Sequence, residues 1–139
     1  MIRVIAICLL VLLLGVRPTA ADEAEAVRAA ETAAKSWLAV VDAGSYDKSW
    51  ENAAALFRGA VTREDWAKAA RAARAPLGAV KSRTLKSTTF THQLPGAPDG
   101  DYVVIQFDAS FANKAAAVET VTPMRDPDGT WRVSGYFVK

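Results

Sequence analysis

The chain has 139 residues, with 17 basic and 15 acidic side chains, a formal net charge of +2 and one cysteine. That length fits a single domain with a single core. One cysteine excludes an intrachain disulfide, and the small net charge gives no global reason to seek nucleic acid or an anionic membrane surface.

Residues 1–21 read as a secretory signal peptide. A basic start (Met1 to Arg3), an apolar run (Val4 to Val16) and Thr19-Ala20-Ala21 before Asp22 place charged, apolar and small residues in the expected order, with cleavage after Ala21. The apolar run is shorter than the ~20 residues that span the hydrocarbon core, so it is an address and not an anchor. The competing reading is an uncleaved signal anchor. Cys8 lies inside the run, which does not fit a lipid-modified cysteine, and cleavage would leave a mature chain without a thiol. Arg3 and Arg17 would leave with the leader, so residues 22–139 would carry equal numbers of basic and acidic side chains. The expected location is the periplasm or the extracellular space, with no membrane association after the leader is removed.

Over 24–41 the apolar residues Val27, Ala30, Ala34, Trp37, Leu38 and Val41 recur at three- and four-residue steps, which predicts a first helix. Gly44 supplies a left-handed stop, and Ser45 is placed to cap a second helix with Asp47 in its first turn and Trp50, Ala53, Ala54 and Phe57 facing inward. Thr62 opens a third helix with Trp66, Ala69, Ala70 and Ala73 facing inward, ended by Pro76-Leu77-Gly78. Beyond Gly78 the period changes from about 3.6 to 2. Strands are predicted over 81–93, 102–111, 117–124 and 131–138. Leu94 to Gly100, Asn113-Lys114 and Asp126-Pro127-Asp128-Gly129 form the turns between them. The fold class is therefore α+β, with about three N-terminal helices packed on a four-stranded antiparallel meander sheet in a single domain over 22–139.

The segments Val41-Asp42-Ala43-Gly44-Ser45-Tyr46, Ala75-Pro76-Leu77-Gly78, Pro95-Gly96-Ala97-Pro98-Asp99-Gly100-Asp101-Tyr102-Val103-Val104, Glu119-Thr120-Val121 and Asp128-Gly129-Thr130-Trp131-Arg132-Val133-Ser134-Gly135-Tyr136, together with Trp37 and Ser49-Trp50, resemble the bacterial family called domain of unknown function 4019. The resemblance covers nearly all of 22–139. It implies a small exported module with no established activity and no catalytic residues to carry over. The layout also resembles the nuclear transport factor 2-like cone, a fold that serves both enzymes and non-catalytic binding proteins, so the fold does not choose the function.

Three groups of side chains are candidates for chemistry. His92 is the only histidine, and imidazole is the natural general base at neutral pH; at the mouth of a Pro/Gly turn it is read as a surface residue in preference to a catalytic one. Asp108 and Gln106 share a strand face with Tyr102 beside the strand of Glu119. Covered by helices, Asp108 would sit in an apolar cleft with a raised pKa, suited to proton abstraction in a small lyase or isomerase. On a solvated face it would have no such role, and that reading is preferred. Arg71, Arg74, Lys81 and Arg83 lie in a basic stretch between 58 and 92 and form a candidate surface for an anionic partner, or else complement a helix C-terminus.

No metal site or cofactor is expected, because one histidine and no clustered carboxylates cannot complete a zinc shell. Trp37, Trp50 and Trp66 fall on inner helix faces and are assigned to the core, not to a ligand cage. The chain is expected to be a non-catalytic ligand-binding or protein-interaction module, with the lyase or isomerase and a structural envelope accessory as alternatives.

Overall fold

The computed structural model describes Gly15, Arg17 and residues 19–139. Most of the expected leader, Cys8 included, lies outside the described residues. Four helices, α1 (Ala20–Asp42), α2 (Tyr46–Glu51), α3 (Ala55–Ala60) and α4 (Arg63–Arg74), precede four strands, β1 (Val80–Thr91), β2 (Tyr102–Phe111), β3 (Lys114–Arg125) and β4 (Trp131–Val138). The strands form one antiparallel sheet in the order β1-β2-β3-β4, the predicted meander. α1 crosses the sheet and contacts all four strands, while α2 packs on α4.

Sequence periodicity dictates the core. Ala30, Ala34, Trp37, Leu38 and Val41 of α1 meet Val103, Ile105 and Phe107 of β2, Val121 of β3 and Val133 of β4. Small residues at 30 and 34 let α1 lie close to the sheet. Alternation in β2 sends Val103, Ile105, Phe107, Ala109 and Phe111 to the helix side, and Phe107 faces Glu119 across the β2–β3 ladder. Gly44 and Gly129 have φ of +75° and +84°, as the left-handed stop and the Asp-Gly turn require. Thr62 caps α4 by accepting a hydrogen bond from Asp65 N at 3.2 Å.

Three local expectations are corrected. The second predicted helix is two short ones, α2 and α3, because the chain breaks at Asn52-Ala53-Ala54, where Ala54 is extended and its N–H donates to Val133 O at 2.8 Å. Ser45 makes no side-chain cap, although it precedes α2. Ala69 and Ala73 are exposed; the buried line of α4 is Trp66, Ala70 and Arg74, at steps of four.

The indoles of Trp37 and Trp66 are fixed through one serine. Fully buried Ser49 accepts the Trp37 Nε1–H on its carbonyl at 2.8 Å and the Trp66 Nε1–H on its hydroxyl at 2.9 Å, while its own hydroxyl donates to Tyr46 O at 2.6 Å. Trp37 and Trp66 lie with ring centroids 5.8 Å apart, and Phe57 meets Trp66 edge-on at 4.9 Å. Ser49→Ala leaves the Trp66 N–H buried without an acceptor, a cost of about 1–3 kcal/mol in urea unfolding. In that background Trp66→Phe removes the orphaned donor, so the double variant is expected to lose less than the two single losses combined. Strict additivity would contradict this account.

Candidate functional site

The strongest electrostatic feature is a cluster drawn from five elements. Asp42 ends α1, Arg74 ends α4, Arg83 lies on β1, Glu119 on β3 and Tyr136 on β4. Arg83 binds both carboxylates: its Nη1 donates to Asp42 Oδ2 at 2.8 Å and its Nε to Glu119 Oε1 at 2.7 Å. Arg74 Nη2 donates to Asp42 Oδ1 at 2.7 Å, and its Nη1 lies 3.9 Å from Glu119 Oε2. Tyr136 donates its hydroxyl proton to Glu119 Oε2 at 2.5 Å. The Arg74 guanidinium also covers the Phe111 ring at 4.9 Å.

Glu119 is 0% exposed and Arg74 5%. Removing such charges from water costs several kcal/mol per ion, so each needs its partners. Burial alone would raise the Asp42 carboxyl, but the hydrogen bonds and charges of Arg83 and Arg74 outweigh it and hold the group below its ordinary 3.8. Burial, together with the charge and hydrogen bond of Glu119, pushes the Tyr136 phenol above its ordinary 10.0. The phenol is thereby held protonated as a donor. Two guanidiniums, two carboxylates and one phenol pair their charges with one another, with only the buried Arg74 Nε left without an acceptor, an arrangement suited to fixing the fold.

This geometry corrects the proposed basic surface. Arg74 and Arg83 are drawn inward by Asp42 and Glu119, and only Arg71 and Lys81 of the four remain exposed. Arg71 lies over the Tyr46 ring at 5.7 Å.

The remaining candidates are kept apart. Asp108 is 61% exposed, with Lys86 Nζ at 3.8 Å, on the wall of an open depression of about 490 Å³ on the sheet face opposite the helices. The helix-covered apolar cleft is not built around it. Tyr102 is buried, its hydroxyl donating to Pro98 O at 2.7 Å, and burial with the nearby Asp99 charge raises its pKa. His92 is exposed, with Nδ1 3.0 Å from Asp101 Oδ1 and its ring edge-on to Phe90 at 5.0 Å. Asp108 stands six residues along β2 from Tyr102, about 20 Å at strand rise, so the three do not converge. Among the described residues, no group of three or more His, Cys, Asp or Glu side chains is placed to hold a metal, and no helix is long and apolar enough to cross a membrane.

A groove of about 840 Å³ lies between α1, the α2–α3 break and the β3–β4 hairpin. Half-buried Val40 and Trp131 contribute its apolar surface, over a floor formed by the buried Trp37 and Val133. Lys48, Asn52 and Arg58 stand on the α2–α3 side. On the hairpin side Arg132 is shared by Asp126 at 2.9 Å and Asp128 at 2.9 Å. Among the described residues, neither Lys48 nor Arg58 has a carboxylate within ion-pair distance; the nearby Glu51 pairs with Arg63 at 3.3 Å. Asp126 is buried and its Oδ1 has no hydrogen-bond partner. The groove is lined by none of the five residues of the ion cluster.

Sequence reasoning did not single out Asp42, Glu119 and Tyr136 as a site, nor Lys48, Asp126 and Arg132. A signal for Glu119 existed: it is the lone carboxylate in the inward series Ala117, Glu119, Val121 of β3. No comparable local signal marks Asp42.

The fold and these features define a small α+β domain locked by an internal ion cluster, with an open groove along one sheet edge. The family described as "Protein of unknown function (DUF4019)" matches residues 33–136, and the chain belongs to that family. No curated protein and no solved structure gives a significant match.

Replacing Glu119 with Gln strips the cluster of a buried charge and is expected to cost about 3 kcal/mol. Because the folded pKa of Asp42 is depressed, its contribution is present above pH 3.8 and is lost as pH falls through the lower folded value. Asp42→Asn therefore flattens the acid limb of a urea-derived stability profile. Tyr136 has the opposite sign: its stabilisation holds below pH 10.0 and declines above it, and Tyr136→Phe flattens that limb. Unchanged limbs in both variants would refute the assignment.

Proposed function

We propose that this chain is an exported, non-catalytic binding module of the cell envelope, released by cleavage after Ala21, and that the groove between α1, the α2–α3 break and the β3–β4 hairpin is its binding site. The observation that carries this reading is a contrast in charge satisfaction. The buried cluster pairs each of its charges internally, leaving only Arg74 Nε without a partner, whereas the groove presents Lys48, Arg58 and Asn52 without side-chain partners among the described residues, beside the indole of Trp131. Its volume falls within the range of about 300–1,000 Å³ usual for ligand sites.

Export has a structural consequence. Thr19 caps α1 reciprocally with Asp22, accepting from Asp22 N at 3.2 Å while Asp22 Oδ2 accepts from Thr19 N at 3.0 Å. Cleavage after Ala21 removes this cap and leaves α1 to begin at Asp22, inside its former first turn.

Native mass spectrometry of protein recovered from the periplasm tests both parts. The expected mass begins at Asp22 and carries a retained ligand. Ala55→Trp, which fills the groove from its exposed wall, is expected to abolish retention with little change in melting temperature. An intact leader would overturn the export reading, and a ligand unaffected by Ala55→Trp, or none, would overturn the groove.

A further inference from the structure

The strand register shows what the groove offers along its floor. Pro123 faces Val133 across the β3–β4 ladder, and Val133 O is turned outward to the Ala54 N–H at 2.8 Å. At the hairpin, Asp126 N donates inward to Thr130 O at 2.9 Å. Antiparallel pairs alternate between hydrogen-bonded and non-hydrogen-bonded, so the Arg125–Trp131 pair between these two points is non-hydrogen-bonded. The N–H and C=O of Trp131 therefore face away from β3, on the outer edge of β4, where Trp131, Arg132 and Val133 line the groove. Ala54 occupies that edge only at Val133 O. A short stretch of main-chain donor and acceptor remains unpaired among the described residues inside a trough.

Charge selects what fits. The α2–α3 wall carries Lys48 and Arg58 without carboxylate partners among the described residues, and its Glu51 is held by Arg63. The facing hairpin is locally acidic, since Asp126 and Asp128 share Arg132. An occupant with carboxylates toward α2 and α3 matches this polarity; a cationic occupant would meet Lys48 and Arg58 directly. Apolar surface from Val40 and Trp131 suits the alternate side chains of an extended strand.

Resting on the groove as the binding site, we infer that its partner is an extended acidic peptide segment, which adds to the β4 edge at Trp131 through main-chain hydrogen bonds and places its carboxylates against Lys48 and Arg58. The interaction is short because Ala54 closes the edge beyond Trp131. Its charge component is exposed and weakens with added salt.

The probes are blocked hexapeptides of alternating glutamate and valine, matched peptides with glutamine or lysine in place of glutamate, and the glutamate peptide with alternate amides N-methylated. Titrations are followed by the backbone amide resonances of the exported protein. The glutamate peptide is expected to shift the Trp131 amide saturably. At least tenfold weaker binding is expected for the glutamine, lysine and N-methylated peptides, and for the glutamate peptide on a Lys48→Glu, Arg58→Glu double variant. No saturable shift at Trp131, equal binding of all charges, or equal binding of the N-methylated peptide overturns the inference. If the peptides fail while Ala55→Trp still displaces a natively retained ligand, the acidic-strand assignment falls and the binding module stands. If both fail, the groove is not a binding site.

Discussion

Burying Glu119 is the constraint on which the rest of the architecture depends. A carboxylate with no exposure at the middle of the helix-facing sheet surface is tolerable only if cations reach it. Two do, from opposite layers: Arg83 from β1 and Arg74 from the end of α4. Asp42 then bridges the two guanidiniums, and Tyr136 supplies the remaining donor. Because the five side chains come from α1, α4, β1, β3 and β4, their mutual requirement fixes how the helical layer sits on the sheet. Hydrophobic contacts alone, being non-directional, would specify that placement less sharply.

The helix dipoles make the arrangement more specific. Arg74 at the C-terminal end of α4 lies where a cation is favoured, while Asp42 at the C-terminal end of α1 lies where an anion is disfavoured. Asp42 is held there by two guanidiniums, so the position is maintained by tertiary pairing against a local preference. Locally unfavourable choices of this kind are where sequence reading fails for a physical reason. Asp42 and Arg83 are 41 residues apart, Glu119 and Arg83 are 36, and no local period connects them.

What was legible was what depends on local periodicity: α1, the β2 and β4 strands, the Asp-Gly turn, the Gly44 stop and the assignment of the indoles to the core. The helix-then-meander order and the class of the fold follow from the same change of period. The split between α2 and α3 was hidden because Ala53 and Ala54 read as good helix. The hydrogen bond from Ala54 to the edge of β4, formed across the molecule, fixes the break that Asn52 begins as the C-cap of α2. Composition cannot decide between the two readings of the basic stretch, surface charge and a helix-terminal role; Arg74 lies in the last turn of α4, on the buried line of Trp66 and Ala70.

The break that escaped the sequence also creates the groove. Had residues 46–60 formed one continuous helix, Ala54 would have donated within the helix and β4 would have kept a longer open edge. Instead the chain turns at Ala53, pins Val133 and sends α3 away from α2, so that Asn52, Ala55 and Arg58 line one wall of a trough closed on its other side by the β3–β4 hairpin. Edge strands expose unpaired main-chain groups that proteins usually cover or blunt. Here the covering is partial: Ala54 satisfies Val133 O, and the ladder parity leaves Trp131 facing outward between charged walls. The device that docks the helical layer onto β4 thus also limits the accessible edge to a segment a few residues long.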